Sequence, residues 1–183
     1  AFVLIKPMHE RFDKRGTAVG AVVLLAFFAT APVAGRFLGM MPDNEHAALL
    51  PLLIFFSGAG YCTLAVLNIS VMSMLADIAD QHELKSGNRR EGMFYSARTF
   101  FSKATTALGA LVGGIAIDII EFPAGAEPGT VPQTMLTQLG LLDGPIAVIP
   151  GIIAIYFYSR YTITRREHAE IRSALDARRV GAR

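Results

Sequence analysis

The stretch MSMLADIADQHELKSGNRREGMFYSARTFFSKATTALGALVGG, Met72 to Gly114, decides how this chain is read. It closes one apolar run and passes through Asp77, Asp80, Glu83, Lys85, Arg89 and Arg90. It then enters a second apolar run that carries Arg98 and Lys103 inside it. A cation within a lipid-compatible segment is costly, so it must face other protein or water. The rest of the chain reads as the housing for that helix.

Composition agrees. Of 183 residues 52% are apolar and only 17% are charged, against about 25% charged in soluble domains. The charges are also clumped: between Thr17 and Ala76 only Arg36, Asp43 and Glu45 occur. Helical spans of roughly 20 residues fit four times, so the fold class is an all-α membrane protein with four transmembrane helices. The lone Cys62 supplies neither a disulfide framework nor a zinc site. The formal charge of +2 is sorted by loop rather than gathered on one face, which argues against a nucleic-acid partner.

The pattern predicts spans at Thr17 to Gly39, with a kink at Pro32, and at Ala47 to Leu75. A polar loop from Asp77 to Gly92 follows, then spans at Met93 to Ile117 and Pro145 to Tyr161. The connection from Asp118 to Gly144 leaves room for a short helix near Val131 to Leu139. In domain terms, 1–16 is the end of a preceding span plus a polar hinge, 17–161 the four-span body and 162–183 a polar tail. The opening Ala1 to Ile5 is apolar from its first residue and lacks signal-peptide grammar, so the chain is expected to be the carboxyl-terminal piece of something longer. The hinge, the Asp77 loop and the tail from Arg160 carry 14 of the 17 Lys and Arg. Positive charge stays inside, so hinge, loop, tail and carboxyl terminus are expected in the cytoplasm.

Helical periodicity places Tyr95, Thr99, Ser102, Lys103 and Thr106 on one side of the third span, with Arg98 bordering that arc, and Phe100, Phe101, Ala104 and Leu108 on the other. At 1.5 Å per residue Arg98 lies about 8 Å from the cytoplasmic end, and Lys103 about 15 Å in, near the midplane. A lysine there costs roughly 2.5 to 3.5 kcal/mol. A partner or aqueous cavity must offset that cost, and with no acid in the spans to pair with it the partner is expected to be a missing segment or a bound ligand. Gly109 and Gly113 predict close helix approach, and Asn68 a bond to another helix.

Asp77 and Asp80 suit salt bridges with Arg89, Arg90 or the hinge better than a metal cluster. His9, His46, His82 and His168 read as loop residues on both sides of the membrane that form no common site. In the tail, Ile163, Ile171 and Leu175 make a narrow apolar stripe, read as a surface helix lying near anionic lipid.

The run Ser73 to Asp77, then Asp80, Glu83 to Lys85, Gly87, Arg89 to Gly92, Tyr95 to Thr99 and Lys103, resembles the melibiose-permease-like glycoside-pentoside-hexuronide:cation symporter family of the major facilitator superfamily. Glu10 to Gly16 is similar to the superfamily's loop between helices eight and nine, with Asp13 where glycine is commoner. The resemblance implies that the four spans are helices nine to twelve of a twelve-helix major facilitator fold, with the amino-terminal half missing. It implies that Lys103 and Thr99 face solute and that Asp77, Asp80 and Arg89 form a cytoplasmic gate; Arg98 and Tyr95 on the same helix are expected at the solute site, and Arg90 at the gate. Arg98 stands where the pattern has glutamine, which favours an anionic sugar such as a uronate or sulfated glycoside.

The expected function is therefore symport of a sugar or sugar-like solute with Na+ or H+ across a bacterial inner membrane, with no cofactor and no catalytic residue. The partners are the solute, membrane lipid and the missing half. The alternatives are a lysolipid-type carrier of the same superfamily, a metal-dependent integral membrane enzyme using Asp77 and Asp80, and a non-transporting membrane scaffold.

Overall fold

A computed structural model describes residues 2–127 and 129–181, with side chains except those of residues 2–4, 6 and 181. Ala1, the first residue of the expected span end, Pro128 of the long connection and the last two tail residues lie outside the described residues. The elements are α1 (Phe2–Phe37), α2 (Leu49–Ser86), α3 (Glu91–Ile119), α4 (Gln133–Leu141), a π-helix (Leu142–Ile146), α5 (Ile149–Ser159) and α6 (Arg165–Gly181). Four helical stretches are long and apolar enough to cross a membrane: Pro7–Phe37, Leu49–Ser86, Glu91–Ile119 and Gln133–Ser159. The all-α, four-span architecture is thus the one composition predicts.

α1 is folded back on itself at Asp13. His9 Nε2 meets Ser70 Oγ at 2.9 Å, and Lys14 Nζ meets Asp77 Oδ1 at 2.7 Å, so up to this point α1 and α2 run the same way. Beyond it they are antiparallel, with the Phe28 ring 6.3 Å from that of Phe56. A straight helix through Lys14, antiparallel to α2, would carry His9 roughly 20 Å away from Ser70. Asp13 makes the turn at φ 61, ψ 169, a region essentially reserved for glycine. This is the physical reason that glycine suits the position. The Lys14 N–H donates to Asp13 Oδ1 at 2.9 Å and Thr17 Oγ1 to the Asp13 carbonyl at 2.7 Å, which hold the turn.

Two predicted boundaries are wrong. The polar loop from Asp77 is instead the last ten residues of α2, which ends at Gly87 (φ 72), whose N–H bonds the Glu83 carbonyl at 2.9 Å. Asp77, Asp80 and Glu83 lie three apart on one helix face, where each meets a partner from another element; the charges end the apolar run without ending the helix. The fourth span likewise begins at Gln133 rather than Pro145, merging the expected short helix with it. Pro145 sits inside the π-helix, where wider winding accommodates a residue with no N–H to donate. Gly140 faces Val33 so closely that a Cβ there would come within 3.2 Å of its Cγ1.

The tail is also a docked helix. Ile163, Ile171 and Leu175 are buried and pack with Leu84 and Tyr161, so the apolar stripe is covered by protein, not by lipid. α6 starts on a capping box that the sequence reading missed. Glu167 Oε2 accepts the Thr164 N–H at 2.8 Å, and the Glu167 N–H returns to Thr164 Oγ1 at 3.3 Å. α3 contrasts with α1 and α2, since none of its residues is buried, and its main packing is on α2. Gly109 and Gly113 meet open space, so the predicted close approach is not made among the described residues.

Candidate functional site

Two polar regions stand out, and they differ in kind. The first is centred on Asp77, only 1% exposed. Lys14 Nζ lies 2.7 and 2.6 Å from its two oxygens, the Tyr161 hydroxyl donates to Oδ2 at 2.5 Å, and His168 Nε2 stands 3.2 Å from Oδ1. The same imidazole nitrogen is 3.3 Å from Asp80 Oδ2. The α1 turn, α2, the link after α5 and α6 therefore converge on one carboxylate. A buried charge is tolerable when a counter-charge and hydrogen bonds replace its water, and Asp77 has both. Burial first, and then the bond to Asp77, raise the Tyr161 phenol above its ordinary value, so it stays a donor.

Around this centre lies a cavity of about 380 Å³ whose walls include Lys14, Asp77, Asp80, Arg89 and His168. Arg89 Nη2 bonds Glu91 at 2.6 Å, which raises its already high pKa, and Nη1 bonds Glu83 at 3.2 Å. Arg179 reaches Glu83 at 3.1 Å, and Arg178 donates to the Leu84 carbonyl at 2.7 Å. Of the four residues expected at the gate, Asp77, Asp80 and Arg89 meet here, while Arg90 stands outside the cavity wall at the start of α3. Asp77 binds the hinge through Lys14 rather than binding Arg89. The reading of the histidines needs correction: His9, His82 and His168 sit on helices at this one end, and His168 belongs to the cluster. Neither Tyr161 nor His168 was among the expected site residues. The capping box and the apolar stripe are the signals in the sequence that could have brought α6, and with it His168, to this end.

The second region is the α3 face. Arg98 Nη2 donates to Asn68 Oδ1 at 3.0 Å, and Asn68 Nδ2 donates to the Leu64 carbonyl at 3.0 Å, so the amide is fixed in the orientation that accepts from arginine. Asn68 thus makes the interhelical bond predicted for it. Arg98 borders a largely apolar cavity of about 340 Å³ with Leu75, Phe157 and Tyr158. Tyr95 is half-buried and its carbonyl accepts from Thr99 Oγ1 at 2.9 Å. Thr99 and Lys103 are exposed. Among the described residues no salt bridge engages Arg98 or Lys103.

The family described as MFS/sugar transport protein matches residues 1–165. The chain belongs to that family. The resemblance to major facilitator symporters drawn from Ser73 to Lys103 is accordingly sound. An uncharacterized symporter of Synechocystis is 33% identical over 73% of the chain and 24% of its own length. An uncharacterized symporter of Bacillus subtilis is 27% identical over 92% of the chain and 34% of its own length. An Escherichia coli protein named "Putative sulfoquinovose importer" is 26% identical over 86% of the chain and 32% of its own length. The chain thus spans about a quarter to a third of these family members. No solved structure matches it significantly.

Proposed function

We propose that this chain forms helices nine to twelve of a twelve-helix symporter that moves an anionic sugar or sugar-like solute with Na+ or H+ by alternating access. In this reading α3 is helix eleven, the charged end is cytoplasmic, and the protein resides in a bacterial inner membrane. Lys103, Thr99, Arg98 and Tyr95 face the solute, while Asp77, Asp80, Arg89 and Arg90 belong to the cytoplasmic gate. Rocking of two helical bodies about a midplane site alternates its exposure.

The observation that carries the reading is the pairing of Arg98 with a neutral amide. Asn68 fixes the guanidinium without neutralising it, so the charge remains available to an anion at an apolar cavity. The sulfoquinovose in the Escherichia coli relative's name is a sulfonated, hence anionic, sugar, which supports the same solute class. Lys103, about one and a half helical turns away at the expected midplane, supplies a second positive charge that a solute or coupling ion can attract or displace.

The test is uptake by membrane vesicles containing the full-length protein. Lys103→Ala abolishes ion-coupled accumulation, and Arg98→Gln shifts preference from anionic to neutral sugars. Undiminished accumulation by Lys103→Ala, or unchanged preference in Arg98→Gln, defeats the assignment.

A further inference from the structure

A second cavity, of about 420 Å³, opens at the charged end between the α1 turn and the link from α5 to α6, with Phe12, Arg15, Val19, Thr162, Ile163 and Thr164 in its walls. It lies where two apolar stretches terminate, one beginning after Gly16 and the other ending at Ser159, which is the depth of lipid headgroups. We infer that it holds an anionic phospholipid of the surrounding bilayer, headgroup against Arg15 and acyl chain along Phe12 and Val19.

Two independent features select this occupant. The first is unspent positive charge. Arg15 in the wall, and Arg11 and Arg165 beside it in sequence, are all exposed, and among the described residues none is in a salt bridge. On the facing side of the same end Lys14, Arg89 and Arg179 are all paired. The one acid in the wall, Asp13, has Oδ1 engaged by the Lys14 N–H. The second feature is apolar surface: Phe12 is 57% exposed, and the Arg11 guanidinium lies 5.6 Å from its ring centre. A free anion would use only the arginines, and an apolar chain only Phe12 and Val19. A molecule with a negative head and a hydrocarbon tail uses both, and basic pockets between helices at this depth suit such headgroups. The inference does not depend on which solute is carried.

The experiment is native mass spectrometry of the full-length protein released from neutral detergent, titrated with phosphatidylglycerol, with phosphatidylcholine of the same chains, or with inorganic phosphate. Phosphatidylglycerol is expected to persist as an adduct at concentrations where phosphatidylcholine does not. Arg15→Gln should weaken it about fivefold, and the Arg11→Gln, Arg15→Gln pair about 25-fold. Phe12→Ser should weaken it as well, while Arg36→Gln at the other end should leave it unchanged. Circular dichroism confirms that each variant is folded. Equal retention of both lipids, displacement by inorganic phosphate alone, no response to the arginine variants, or a dimer that forms through this face and excludes lipid would each overturn the assignment.

Discussion

The charged end and the α3 face use the same residue types to opposite effect. Around Asp77 four segments of chain meet, and the buried carboxylate is matched by an ammonium, a phenol and an imidazole. On α3, Arg98 rests on a neutral amide and Lys103 has no ion pair among the described residues. A saturated cluster holds elements together, because removing any member strands the others. An unsaturated cation attracts whatever anion arrives. Under the proposed function, the difference is that between a structural lock and a binding surface.

The sharpest way to break the contrast is on α3, where Lys103→Ala should eliminate coupled uptake by full-length protein while leaving its resistance to detergent unfolding unchanged. If stability falls instead, the lysine is structural and the contrast collapses. At the charged end Asp77→Ala should do the reverse. It leaves Lys14 partly buried without its counter-charge and should destabilise the protein by about 3 kcal/mol, measured by helicity against denaturing detergent.

Asn68→Ala sharpens the comparison from the other side. Loss of one hydrogen bond to a charged group is worth about 1.5 kcal/mol, so KM for an anionic sugar should rise about tenfold with the Arg98 side chain still present. Asp13→Gly should stabilise the turn by about 1 kcal/mol, since relief of a glycine-only backbone conformation outweighs the small loss on replacing Asp by Gly at a cap.

The smallest effect expected is at Glu167. The Thr164 backbone N–H, then its hydroxyl, hold this carboxyl below its ordinary pKa. A depressed folded pKa contributes stability that is present above the unfolded value and lost as pH falls through the folded one. The first turn of α6 should therefore fray in acid, with faster amide exchange at Thr164, and Glu167→Gln should remove that pH dependence.

Much of the molecule was legible in one dimension. The four apolar stretches, the end at which bases gather and the polar arc of α3 follow from composition and the 3.6-residue period, which act locally. Asp13 is a partial case: the family pattern pointed to glycine, and only the backbone angles explain why. The boundaries at Asp77 and Pro145 were misread for a common reason. Polarity and proline mark where an isolated helix should stop, and here helix continues because other elements supply what the local sequence lacks. Asp77 finds Lys14, and Pro145 finds room in a widened turn facing Val33.

The sequence alone determined that this is a helical membrane protein of four spans whose third carries two cations, because hydrophobic run length and charge placement are set residue by residue. The tertiary structure decided that Lys14, Asp77, Tyr161 and His168 form one cluster, that Asn68 orients Arg98, and that the tail stripe is covered by protein. Partners separated by 30 to 91 positions along the chain leave no periodic trace, since what joins them is the path of the backbone between helices.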